Sequence, residues 1–370
     1  MIPLMDLKAQ YQSIKSEVDA AVIAVLESSA YILGPEVAAF EEEFADYCGG
    51  GTCVAMNSGT SALHLAFLAA GIGPGDEVIC PAMTFIATAS AITYAGATPV
   101  FVDADPLTWN IDPSKIEAAI TPRTKAVVPV HLHGRVADMA PIAEICRRRG
   151  VLLIEDAAQA HGAEYRGQRA GSFGDISCFS FYAGKNLGAA GEGGAAISRN
   201  PEYIKTMRLL RDWGAEQKYV HTLRGYNYRM EGIQGAILRV KLRHIEAWTE
   251  ARIAHAAEYD KRLDALGIQR PATPGEGDRH VYHIYAVRVA ERERVRQAMV
   301  DAGVGVGMHY PIPLHLQPTF AEFGYKKGDF PVAEAIGDET LSLPLFAELT
   351  DAQREAVCDA LATQVVEPAQ

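Results

Sequence analysis

Short apolar runs alternate with stretches of helical periodicity through the first 240 residues of the chain. Between residues 12 and 29, Ile14, Val18, Val22 and Val25 recur on one face of a predicted helix. Gly34-Pro35-Glu36 then has the form of a helix start with proline in its first turn, turning Val37, Phe40 and Phe44 inward. The runs Cys53–Met56, Glu77–Cys80, Pro99–Val102, Ala126–Val130 and Val151–Ile154 read as strands. Helical patterns lie between them at Ser61–Ala70, Ile86–Ala95, Pro113–Ala119 and Met139–Arg149. This rhythm predicts an α/β fold with a mostly parallel central sheet flanked by helices. Ile176–Phe179 and Gly194–Ile197 complete the sheet.

The pattern changes near residue 240. One long helix is predicted over Gln234–Leu263, followed by a polar break at Pro271–Asp278, a strand at Tyr282–Arg288 and a helix near Glu293–Ala302. The expected division is a large domain, 1–240, with an N-terminal helical segment, and a smaller α+β domain, 241–370, hinged on the long helix. A length of 370 residues with 49% hydrophobic content is enough for a sizeable core.

The net charge of −12 fits a nucleic-acid binder poorly, because phosphate contact needs a basic surface. No apolar run approaches the roughly 18–20 residues of a membrane span, and the N-terminal stretch lacks a secretory pattern. A cytoplasmic protein without nucleic-acid or membrane partners is therefore expected. The six cysteines are scattered without a CxxC pair, so neither a zinc ribbon nor a redox motif is signalled.

In open α/β sheets, ligands bind beyond the carboxyl ends of the strands. Asp156 ends one predicted strand, and Lys185 lies in Ser180-Phe-Tyr-Ala-Gly-Lys185-Asn-Leu-Gly188 after another. A lysine amine forms a Schiff base with an aldehyde, and a carboxylate at a strand end can hold a pyridine nitrogen protonated. Together they are the minimal equipment for pyridoxal phosphate (PLP) chemistry. A buried acid in that position can also cap a helix or pair with a base.

Asn57-Ser-Gly59-Thr60-Ser61 follows a strand and opens a helix, where free N–H groups favour a phosphate. Taken alone, it is equally an ordinary capped loop. Phe85 can stack on a planar ring or belong to the core, and Gln159 lies one turn past Asp156. His131 and His133 have no third ligand at metal spacing and read as polar lining or core. His309-Tyr310-Pro311 opens a proline-rich loop that suits either binding or a rigid turn. Gly184-Lys185-Asn186 is not a Walker A loop, and Gly188–Gly193 has the wrong order for GxGxxG, so a nicotinamide dehydrogenase fits poorly.

These motifs, in this order, resemble one family. They include Asp6–Tyr11, Tyr31–Glu36, Asn57–Thr60, Gly71–Val78, Thr84–Thr88, Pro129–Leu132, Glu155–Gly162, Ser180–Gly188, Gly225–Met230 and His309–Pro311. The chain is similar over nearly its whole length to the DegT/DnrJ/EryC1/StrS aminotransferases, PLP enzymes of fold type I acting mainly on nucleotide-linked keto sugars. The resemblance implies that Lys185 holds PLP and acts as the proton-transfer base, with a depressed pKa. It implies that Asp156 pairs with the pyridine nitrogen, Phe85 stacks on the ring and Gln159 packs beside it. Gly59, Thr60 and Ser180 would bind the phosphate, with Ser61 in the same cofactor-binding set.

Asn227 would reach the cofactor of a neighbouring subunit, making a homodimer part of the site. Arg229, His309 and Tyr310 would line the sugar side. The implied reaction takes an amino group from L-glutamate to a keto group, at C3 or C4, in a ping-pong cycle through pyridoxamine phosphate. Alternatives are an aminotransferase or dehydratase on a keto-cyclitol or antibiotic precursor, and a non-catalytic PLP-binding regulator. Lysine at 185 argues against the dehydratases, which carry histidine there. Ala183, Glu192 and Gly235 depart from the common pattern at loop and substrate-side positions.

Overall fold

A computed structural model describes residues 1–365. Seven strands form the central sheet: β1 (Thr52–Met56), β2 (Glu77–Pro81), β3 (Thr98–Val102), β4 (Thr124–Val127), β5 (Leu152–Asp156), β6 (Ile176–Ser180) and β7 (Gly194–Ser198). Their spatial order is β1-β7-β6-β5-β4-β2-β3. The pairs among β6, β5, β4, β2 and β3 are parallel, while β7 runs antiparallel to both β6 and β1. The mostly parallel α/β sheet expected from the alternating pattern is present.

Alternation along the strands builds a core on each face. One face holds Met56, Val78, Ile154 and Ile176 beneath Leu63, Phe67, Ile92 and Met207. The other holds Ala55, Ile79, Leu153 and Phe179 beneath Phe40, Ile142 and Leu238. The covering helices are α3 (Pro35–Tyr47), α4 (Gly59–Ala69), α5 (Ala87–Tyr94), α7 (Met139–Arg149), α8 (Pro201–Arg211) and α9 (Gly232–Leu242); α6 (Pro113–Ala119) lies beside β3. A third cluster centres on Tyr259, Val287, Met299, Leu341 and Leu361, around the antiparallel pair β8 (Tyr285–Arg288) and β9 (Thr340–Leu343). Leu314, Phe320 and Ile336, though late in the chain, pack into the first sheet-face core.

Three boundaries differ from the sequence reading. The helix expected over residues 12–29 is two, α1 (Leu7–Ser13) and α2 (Lys15–Ser28), joined at a non-helical Ile14. The single helix expected over Gln234–Leu263 is also two, α9 and α10 (Ile245–Asp264). At that junction Glu17 of α2 accepts from Arg243 Nη2 and pairs with His244 Nε2, a tertiary contact that no glycine or proline signals. The run Ala126–Val130 parts from β2 after Val128, which still donates to Ile79, because Pro129 has no N–H to continue that ladder; on its other side it stays against β5, with Val130 bridged to Asp156. No helix among the described residues is long and apolar enough to cross a membrane.

Candidate active site

The carboxyl ends of β2, β5 and β6 open into one cavity of about 470 Å³. Asp156, the last residue of β5, is buried and stands opposite Cys178 of β6 in parallel register. Burial pushes its carboxyl upward. Thr88 Oγ1 opposes this by donating to Oδ2 at 2.7 Å, with the Ala158 N–H at 3.2 Å and the charge of Lys185 acting in the same sense. Glu155 points to the other face, as strand alternation requires. Its carboxylate accepts from five donors: His131 Nε2, the Gly171, Phe173 and Gly174 N–H groups, and Ser177 Oγ. His131 Nδ1 accepts from the Ala137 N–H, so its proton is on Nε2 and is spent on Glu155.

Lys185 lies in the turn after β6, its N–H donating to the Tyr182 carbonyl at 2.8 Å. Its amine is enclosed in the cavity. Burial lowers its pKa to about 8, with Asp156 pulling the other way. The turn is tied down on both sides. Asn186 Nδ2 donates to the Val281 carbonyl at 2.9 Å, Asn186 Oδ1 sits 3.2 Å from His283 Nδ1, and Lys241 Nζ donates to the Gly188 carbonyl at 2.7 Å.

A helix N-terminus closes one end of the cavity. Ser58 caps α4, accepting from the Ser61 N–H at 3.0 Å, and Gly59 and Thr60 face the open space. Gly59 lies so close to β6 that a Cβ there would stand 2.7 Å from the Ser180 Cβ. Free backbone N–H groups and the positive end of α4 make this end suited to a phosphate.

Phe85 is 50% exposed, so it forms a wall of the cavity and not the core; its ring lies 5.4 Å from that of Tyr310. Gln159 accepts from the His133 N–H at 2.6 Å and donates to Tyr310 Oη at 3.0 Å. His133 Nε2 in turn donates to the His309 carbonyl, and His309 Nδ1 meets Ser342 Oγ at 2.8 Å. Burial lowers His133 to about 3 and His309 to about 4, so both imidazoles are neutral at neutral pH.

Nine of the twelve residues singled out by sequence therefore surround one cavity: Gly59, Thr60, Phe85, Asp156, Gln159, Ser180, Lys185, His309 and Tyr310. Three do not line it. Ser61 donates its hydroxyl to Asn57 Oδ1 at 2.6 Å and shapes the loop. Arg229 binds Asp212 Oδ1 and Asn227 Oδ1, beside the cavity but outside it. Sequence reasoning gave no role to Thr88, His283 and Met5, which do line it, and met Glu192, also in the lining, only as a departure from the common pattern. Thr88 alone carried a signal, one turn after Thr84 at a strand-to-helix junction.

The donor set fits PLP. A buried amine, a buried carboxylate, an aromatic wall and a helix N-terminus packed too tightly for a side chain at 59 enclose the same space. The sequence model of the DegT/DnrJ/EryC1/StrS aminotransferase family matches residues 12–362. The chain is 45% identical, over 97% of its length and 95% of the relative's, to dTDP-3-amino-3,4,6-trideoxy-alpha-D-glucose transaminase of Streptomyces venezuelae. It is also 45% identical, over 98% of both chains, to a protein of Geobacillus stearothermophilus named pleiotropic regulatory protein. The solved structure of S. venezuelae DesV in complex with a ketimine intermediate superposes with a TM-score of 0.97 at 44% identity, covering 100% of this chain and 99% of that one. The PLP-form structure of Spr1654 from Streptococcus pneumoniae gives a TM-score of 0.89 at 29% identity, over 95% and 97% of the two chains. The chain belongs to the DegT/DnrJ/EryC1/StrS aminotransferase family.

Proposed function

We propose that this chain is a PLP-dependent aminotransferase that moves an amino group from L-glutamate to a keto group, at C3 or C4, of a nucleotide-linked sugar. The observation that carries the reading is the Lys185 amine and the Asp156 carboxylate in one enclosed cavity that ends on the N-terminus of α4. When bound, PLP supplies an electron sink for the carbanion formed at the donor or sugar carbon. The remaining chemistry falls to the chain. Lys185 takes and returns the proton, a task for a neutral amine, and its lowered pKa supports that role. Asp156 would pair with the pyridine nitrogen and keep it protonated. Phe85 and Gln159 would pack against the ring. Gly59, Thr60 and Ser180 receive the phosphate, on a loop that Ser61 braces through Asn57.

His309 and Tyr310 close the sugar side. In this reading the molecule is a homodimer. Asn227 and Arg229, outside their own cavity, serve the neighbour's, where an arginine would meet a diphosphate. Residues 1–240 carry the cofactor chemistry and 241–370 contribute the His309 loop. The sugar-nucleotide transaminase among the relatives supports the substrate class. The name of the Geobacillus relative favours a second reading, a regulator that binds PLP without turnover.

Absorbance spectroscopy separates the two. The purified protein is expected to show the Schiff-base band of Lys185 with PLP, and L-glutamate is expected to bleach it as pyridoxamine phosphate forms. A band that glutamate leaves unchanged would favour the regulator; no PLP uptake at all would end both readings.

A further inference from the structure

We infer that Thr88 is a positioning residue for Asp156: its hydroxyl, backed by Thr84, holds the carboxylate ionised and aimed into the cavity. The inference deepens the PLP reading above and rests on it for its consequence in catalysis.

The Thr88 side chain is buried and its Oγ1 donates to Asp156 Oδ2 at 2.7 Å. Thr84 Oγ1 lies 3.4 Å from Thr88 Oγ1, and Thr84 too is buried. Because the Thr88 proton is committed to Asp156, Thr84 must be the donor in that pair. The two hydroxyls thus form a short directed chain ending on the carboxylate, and polarisation along such chains strengthens the terminal bond.

The surroundings of Asp156 make this donor consequential. The thiols of Cys80 and Cys178 and the phenol of Tyr310 face it without supplying charge, and the His131 proton is spent on Glu155. Among the described residues lining the cavity, Lys185 is the sole lysine or arginine. Its amine is the group that must bond to an aldehyde. Once that amine is engaged, the hydrogen bonds left to the carboxylate are those from the Thr88 hydroxyl and, longer, from the Ala158 N–H, with His131 a weaker influence from a distance. Burial drives the carboxyl toward its neutral form, and the Thr88 bond is the largest influence against it.

Thr88 also fixes direction. It lies in the first turn of α5, and its N–H donates to the Phe85 carbonyl at 3.3 Å. One helical turn therefore spaces the aromatic wall from the group that grips Asp156. A ring resting on Phe85 would find its nitrogen-side carboxylate already oriented. With a hydroxyl donating to Asp156, the carboxylate would leave the shared proton on the pyridine nitrogen of a bound ring, where it would withdraw electrons.

Two variants test this. Thr88→Val keeps the shape and removes the hydroxyl; Thr88→Ser keeps the hydroxyl. In apo-protein carrying 13C-labelled aspartate, with the Asp156 signal assigned by Asp156→Asn, Thr88→Val is expected to raise the carboxyl titration by about one pH unit or more. With 15N-labelled PLP, its ring nitrogen should shift toward the unprotonated position, and PLP should bind roughly 10-fold more weakly, as for loss of a hydrogen bond to a charged group. Thr88→Ser should retain the wild-type titration and nitrogen shift. Should Thr88→Val not fold, Thr84→Val reads the same chain from its far end, with a smaller upward shift. A Thr88→Val titration identical to wild type would overturn the inference. So would a Thr88→Ser protein that behaves like Thr88→Val, since packing and not the hydroxyl would then be responsible. If wild-type protein takes up no PLP, the functional reading falls, while the apo-protein titration still decides the link between Thr88 and Asp156.

Discussion

Lys241, on α9, donates to the carbonyl of Gly188, three residues past Lys185, at 2.7 Å. A side chain from a different helix thereby closes the turn that presents the reactive amine. Burial lowers its pKa to about 8, with Glu348 opposing, so a charged donor is held at the edge of stability in that position. Lys241→Met should loosen the turn and lower kcat by roughly 10-fold, in line with losing one charge-assisted hydrogen bond. Lys241→Arg should restore part of it. Steady-state kinetics on both variants checks this, and an unchanged kcat in Lys241→Met would show that the bond to Gly188 is irrelevant.

The lowered pKa of Lys185 gives a pH dependence with a definite sign. Only the neutral amine attacks an aldehyde, and its fraction rises as pH climbs toward the folded pKa of about 8. Stopped-flow capture of PLP by apo-protein should therefore accelerate nearly tenfold per pH unit below that value and level off above it. A lysine of ordinary basicity would keep accelerating through pH 9, and that profile would contradict the enclosed environment.

Glu155 is predicted to matter for stability. Burial alone would raise its carboxyl, yet His131, Ser177 and the Gly171 N–H together hold it below the usual range. Since its folded pKa is depressed, the stabilisation is present at neutral pH and disappears as pH falls through the carboxylate range. Glu155→Ala strands several buried donors and should cost about 3–5 kcal/mol in urea unfolding at pH 7. A cost below about 1 kcal/mol would mean that the donors find other partners.

Gly194 offers a purely steric test. A Cβ there would lie 2.2 Å from the backbone carbon and oxygen of Ser58, with no flexible side chain to yield. Gly194→Ala should push β7 away from the cap of α4, destabilise by about 3 kcal/mol and weaken PLP binding. An unchanged melting temperature together with unchanged PLP affinity would show that the two segments separate easily.

Much of this was legible in the chain. Apolar runs of strand length separated by amphipathic helices announce a layered sheet. A carboxylate at one strand end and a lysine in a glycine-rich turn after another announce the chemistry. What stayed hidden depends on contacts between distant segments. The run Gly194–Ile197 looks the same whichever way it points, so its antiparallel direction could not be read. At the break at Arg243–His244 both residues meet Glu17, over two hundred residues away in the chain. Ser61 reads as part of the phosphate loop, and only the cap geometry shows it bonding to Asn57. His283 and Met5 reach the cavity from segments far from it in the chain, where no local spacing marks them.

Glu155 and Asp156 are neighbours in sequence with unrelated tasks, one locking loops behind the sheet and the other facing the cavity. Their separation depends on the pairing of β5 with β6, because a one-residue slip would exchange the two sides. A mispaired chain would lose its lock and present the wrong acid at once. Retention of PLP would therefore report on assembly: a molecule that presents Asp156 to the cavity has, by that fact, aligned its central strands.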